Sequence, residues 1–256
     1  MGQRKWIVWG LVVVIGSLFA SCLEEYTGVY NPGITPAVVR IHGDSSLTMA
    51  VTRYGWIYAS TFSSYSTGKC LLVSFEYDPS DEDNVNASEE GYYTVTVESK
   101  TAVDQSTASS PVTDTSTLLT YEQPIVYPMY TGDSVYCLKL DDYFFLPSVC
   151  LTTSSQTLTW EMTYDASQQP ETVDGHSVYS LYLRVSASTE KDEDDDYVYL
   201  SDLQAYDLSD FMDDMGLSRS EDMYVRIHYV NWINASDSTQ FTWDVSDPIL
   251  VNGYEE

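Results

Sequence analysis

The chain has 256 residues and a formal charge of −28 at neutral pH, from 39 acidic and 11 basic side chains. A field of that sign repels nucleic acid and anionic lipid headgroups, which excludes both as partners. Hydrophobic residues make up 43% of the chain and include 22 tyrosines, so a folded core is expected rather than an acidic disordered segment.

The first 25 residues read as an export leader followed by the start of a tether. Gln3-Arg4-Lys5 supplies a positive start, and Trp6 to Phe19 is apolar except for Gly10, Gly16 and Ser17. That run is too short to cross a hydrocarbon layer of roughly 30 Å as a permanent helix, so residues 1–21 read as a signal peptide. Leu18-Phe19-Ala20-Ser21-Cys22 resembles a lipoprotein signal-peptidase site, in which small residues fit the protease and Cys22 carries the acyl chains. The mature chain then begins at Cys22 and is held to a lipid bilayer there. Arg4 and Lys5 leave with the leader, which makes the mature body more acidic still. Residues 22–35, with Glu24-Glu25 and then Asn31-Pro32-Gly33, read as an extended acylated tether. The acidic pair resembles the export signal that Bacteroidota-type lipoproteins use to reach the outer face of the outer membrane.

From Ala37 the pattern is β. Ala37 to Ile41, Ser46 to Arg53, Trp56 to Phe62, Cys70 to Tyr77 and Tyr92 to Glu98 carry strand formers, bounded by turns such as Tyr54-Gly55 and Glu90-Gly91. Five short strands in this span predict a small OB-like barrel over residues 36–118. Asp78 to Glu90 reads as a loop too polar to be buried. Residues 101–118, rich in Ser and Thr, read as a linker or long surface loop at the end of this domain.

Residues 119–256 predict a β-sandwich. Its strands are Ser134 to Leu140, Tyr143 to Leu146, Thr157 to Tyr164, Ser177 to Ala187, Tyr197 to Leu200, Glu221 to Trp232 and Thr239 to Val245. Asp174-Gly175 predicts a tight hairpin, because a type I′ turn needs two positive φ angles. Leu208 to Leu217 predicts one short helix with Ser209 as N-cap and Gly216 as the left-handed stop. The fold class expected is therefore all-β, an OB-like barrel followed by a sandwich with one short helix.

No phosphate loop, nucleophile elbow or paired-cysteine metal motif occurs, and no catalytic residue is assigned. His42, His176 and His228 are the histidines; His176 follows a turn and should be exposed, and His228 reads as a solvated strand residue. Asp78 to Asn84 and Asp192 to Asp196 offer hard oxygens to calcium but lack the alternate spacing and glycine of a calcium loop, so they read as solvated loops. No metal and no cofactor is assigned. Cys70, Cys137 and Cys150 remain after Cys22. Cys137 and Cys150 are nearest in sequence for a bridge, yet both sit in apolar runs where a free cysteine is a small core residue. Trp56, Trp160, Trp232 and Trp243 fall within predicted strands, where core packing competes with sugar stacking, and at least two are expected in the core.

The chain resembles the NigD-like lipoproteins. The resemblance rests on the Lys69 to Tyr77 strand, the Tyr92 to Glu98 strand, and the block Tyr206 to Phe211 followed by Met223 to Tyr229. It implies an N-terminal OB-like domain, a C-terminal β-sandwich and no catalytic motif. The function expected is that of a non-enzymatic, surface-exposed lipoprotein of the outer membrane that acts through contact with a protein partner. A glycan-binding accessory of a surface uptake system is the second reading, and the fimbrillin-like adhesins share the same plan of lipid anchor and β-sandwich.

Overall fold

The computed structural model describes residues 28–43, 46–129, 137–191, 195–219, 222–234 and 236–251. The expected leader and lipidation site, residues 1–21 and Cys22, lie outside the described residues. No described helix is long and apolar enough to cross a membrane.

The first sheet contains β1 (Ile34–His42), β2 (Leu47–Thr52), β3 (Gly55–Tyr58), β4 (Cys70–Glu76), β5 (Tyr92–Thr94) and β6 (Thr96–Ala102), in the order β5-β3-β2-β1-β4-β6. Its two edge strands, β5 and β6, are successive parts of one chain segment broken only at Val95. The sheet therefore curls back on itself, as an OB-type half-barrel does. Ala37, Val39, Ala50, Ile57, Phe62, Leu71, Val73 and Phe75 fill the interior of the curl. Trp56 to Phe62 is not one strand: Ser60–Ser64 turns into a 3-10 helix that inserts Phe62 into this core. The Asp78 to Glu90 loop is also less open than its polarity implies. It contains the 3-10 turn Glu82–Asn84 and the short helix α1 (Ala87–Glu90). Asn84 is buried because its amide donates to the carbonyls of Asp78 and Thr94 and its oxygen accepts from the Thr94 N–H.

The second sheet joins β7 (Asp104–Thr107), β14 (Tyr197–Asp207), β10 (Tyr143–Thr153) and β8 (Ile125–Tyr127) in that order, with β9 (Leu138–Leu140) also on β10. The third contains β11 (Leu158–Thr163), β13 (His176–Ala187), β15 (Met223–Ile233) and β16 (Phe241–Val245), with β12 (Glu171–Val173) on β13 and β17 (Ile249–Val251) on β15. Asp174 and Gly175, at φ 51° and 86°, form the tight turn between β12 and β13. The short helix α2 (Ser209–Met215) closes one end of the sandwich and ends at left-handed Gly216. Its cap is Leu208 rather than Ser209, and the Asp207 carboxylate one residue earlier accepts the free Ser209 N–H at 2.9 Å.

The second sheet is the middle layer and buries both faces. Phe144, Leu146, Cys150, Tyr206 and Leu208 pack against Trp160, Leu181, Leu183, Val225 and Ile227 of the third sheet. The opposite face sets Tyr143, Phe145, Leu140 and Ala205 against Val38 and Cys70 of the curled sheet. This is why β10 is apolar almost throughout and not alternating. Arg40 reaches across the same seam to Asp141 at 2.5 Å.

Residues 101–118 are not a free linker. Thr101 and Ala102 finish β6, and Asp104–Thr107 pairs in parallel with Gln204–Asp207. An edge strand of polar residues is held by backbone pairing, which composition does not reveal. Ser109 then bridges to Thr163, and Arg184 binds the carbonyls of Asp114 and Thr117.

Candidate functional site

β14 has two unequal halves. All of Tyr197–Asp207 pairs with β10 along one edge, but β7 covers only Gln204–Asp207 on the other. The chain arrives from β6 in the curled sheet and joins β14 only at Asp104. Among the described residues no strand covers the outer edge of residues 197–203. Alternate residues there turn their N–H and C=O groups outward over about 23 Å of strand.

The side chains at this edge are apolar. Tyr197, Val198, Tyr199 and Leu200 are 53%, 37%, 73% and 39% exposed. Leu200 and Asp202 share the face turned to the third sheet, where the Asp202 carboxylate accepts from Trp160 Nε1 at 2.9 Å. Tyr199 and Leu203 share the other face, which Leu203 extends into the seam with the curled sheet. A soluble surface seldom carries four consecutive large apolar groups on a strand with an open edge.

The cations do not offset the acid around this edge. Arg40, Arg184, Arg219 and Arg226 pair with Asp141, Glu122, Asp142 and Glu171. Lys69, Lys100 and Lys139 donate to the carbonyls of Val103, Thr61 and Arg219. Arg53 and Lys191 lie over the rings of Tyr54 and Tyr197. Every Lys and Arg after Lys5 is thus engaged within the chain.

The first sheet lies within a segment that matches a known family model. Residues 27–102 match the lipoprotein OB domain family. Beyond this lipoprotein OB segment, the whole architecture resembles that of solved proteins. An uncharacterised protein from Parabacteroides merdae ATCC 43184 shares 22% identity, with 87% of this chain and 100% of that chain covered and a TM-score of 0.66. A candidate lipoprotein from Bacteroides fragilis NCTC 9343 shares 14%, covering 89% of this chain and 100% of the other at a TM-score of 0.57. At these identities the likeness is one of fold. A NigD-like immunity protein from Bacteroides caccae ATCC 43185 is a more distant match, at 12% identity, 86% and 92% coverage and a TM-score of 0.44. No functionally curated protein matches.

The lipoprotein OB segment leads straight into β7, so its last strand determines where the open edge of β14 begins. No cluster among the described residues has the geometry of a metal site. Asp78 is an N-terminal loop cap: the Ser80 hydroxyl and then the Ser80 N–H bind its carboxylate and lower its pKa. Of the second acid loop, residues 192–194 lie outside the described residues, and Asp195 accepts from the Ser155 hydroxyl. A hollow of about 420 Å³ gathers Asp210, Asp213 and Asp214 beside Tyr164, whose phenol is pushed up by burial and donates to Asp214 at 2.9 Å.

The histidines are dispersed. His42 packs edge-on to Trp56, His176 lies against Tyr224, and His228 stacks on Tyr182 at 4.7 Å. His176 is exposed as expected. His228 is half-buried rather than solvated, and burial with help from Arg226 lowers its pKa. Only Trp160 of the four strand tryptophans is buried; Trp56 and Trp243 are half-buried, and Trp232 is exposed, because they stand on outer sheet faces. Cys70, Cys137 and Cys150 are free thiols, each pushed up to about 12 by burial. Such thiols are poor nucleophiles. The open edge of β14 escaped the sequence reading. Its one signal was the unbroken Tyr-Val-Tyr-Leu run, which reads equally well as a buried strand.

Proposed function

We propose that this chain is a lipid-anchored protein of the cell envelope that works without catalysis, by holding a protein partner at the open edge of β14. The single observation behind this reading is the exposed run Tyr197-Val198-Tyr199-Leu200 on a half-covered strand. The leader with Cys22 and the lipoprotein OB match of residues 27–102 support the anchor. Glu24-Glu25 supports outer-membrane placement with the body facing outward.

A photo-crosslinking amino acid at position 199, in cells, tests the contact. A discrete protein adduct is expected there and not at position 85, which is 68% exposed on the curled domain. Equal adduct patterns at the two positions would refute it. Cys22→Ser should release the protein from membranes and abolish acyl labelling; retention of both would refute the anchor.

A glycan-binding reading has one observation in its favour. Tyr182, His228 and Trp243 form a ring cluster on the outer face of the third sheet, with Tyr182 and Trp243 6.1 Å apart. Binding on a glycan array that Trp243→Ala abolishes would favour it.

A further inference from the structure

We infer that residues 197–203 of β14 accept an extended segment of another protein as an added strand, and that this segment is apolar at its centre and basic at its ends. This rests on the proposed role of β14 as the contact surface and names the partner's chemistry and mode of pairing.

The backbone argues for strand addition. One edge of residues 197–203 is satisfied by β10, and β7 stops short of the other. An incoming strand would lie in line with β7 and continue the sheet order outward. Its main-chain groups would satisfy those of β14, and its alternate side chains would meet the exposed pairs Tyr197/Tyr199 and Val198/Leu200. Addition of this kind needs no preformed pocket.

The charge pattern argues against a second copy. If two copies paired antiparallel about Tyr199, Asp196 of each would stand opposite Asp202 of the other. Like charges directly opposite on paired strands are destabilising, and two bodies this acidic also repel at longer range. A foreign strand with Lys or Arg near each end reverses both effects. It meets Asp195 and Asp196 at one end and Asp202 at the other, in a chain whose own cations are already engaged.

The test uses the full-length lipoprotein in detergent and the fluorescent peptide Lys-Thr-Val-Tyr-Val-Thr-Lys. Binding by anisotropy is expected at low salt, weakening as salt rises. The same peptide with both Lys replaced by Glu should bind at least about tenfold more weakly. A peptide N-methylated on alternate residues along either edge shows whether backbone pairing is used, and methylation of one edge should abolish binding. Val198→Lys and Tyr199→Pro should each reduce binding, with circular dichroism checking that each remains folded. Val198→Lys is the milder change if the proline unfolds the edge. Three results would overturn the inference: no binding of the Lys peptide, equal binding of the Glu peptide, or indifference to methylation of both edges. So would a dimer in sedimentation that crosslinks through position 199. If the peptides fail while position 199 still crosslinks a discrete partner in cells, the contact surface stands and only strand addition falls.

Discussion

Removing the Arg184 side chain should be the most damaging single polar change in the sandwich. Arg184 and Glu122 are 1% and 0% exposed, and the guanidinium grips both carboxylate oxygens. It also donates to the carbonyls of Asp114 at 2.9 Å and Thr117 at 2.7 Å, which ties the Ser/Thr-rich segment to the third sheet. Arg184→Met fills much of the same volume but leaves the Glu122 carboxylate with the Leu119 N–H at 2.7 Å as its remaining bond. Breaking a buried pair from one side costs about 3–5 kcal/mol, because the remaining charge is stranded in a poorly solvating interior. For a chain of this size that is a fall in Tm of about 6–20 °C. Arg184→Met with Glu122→Leu removes the stranded charge as well and should recover at least half of the loss. Arg226→Met is the control: its pair with Glu171 is 21% and 64% exposed, and solvent screening holds the loss below about 1 kcal/mol. Thermal and urea unfolding followed by circular dichroism measure all four proteins. An Arg184→Met loss no larger than the control, or a double variant as unstable as the single, would refute the reasoning.

Two further outcomes follow from burial. In the Cys22→Ser variant the three remaining thiols should resist Ellman's reagent at pH 8, since each is pushed up to about 12, and all three should react on denaturation; fast reaction of the folded protein would contradict their burial. His228 is held neutral by burial and by Arg226, so its folded pKa lies below the unfolded value of about 6.5. The folded state therefore binds fewer protons, and stability present above pH 6.5 is lost as pH falls toward the folded value. Tm between pH 7 and pH 5 should fall less steeply in His228→Gln than in the parent, and parallel slopes would count against this assignment.

Much of the fold follows from local pattern alone. Alternation along Ser177 to Ala187 determined which face is buried, Asp174-Gly175 determined a turn with two positive φ angles, and Gly216 ended the helix at a left-handed residue. These are short-range constraints, set by side-chain period and backbone sterics, so they are visible without the rest of the chain. The length of β10 and β14 was not visible. Pro147 and the polar residues Ser201, Asp202 and Gln204 look like breaks, but each strand continues because its partner runs the full eleven residues. β7 was hidden for a related reason: its side chains are mostly exposed, and pairing with Gln204–Asp207 alone makes it a strand. Whether Tyr197 to Leu200 is core or surface could not be decided from its residues. Identical apolar groups are buried when a neighbouring strand covers them and exposed when it does not, and that depends on where the chain crosses from the curled sheet into the middle layer. The path of residues 102–104 makes that decision, and with it the open edge.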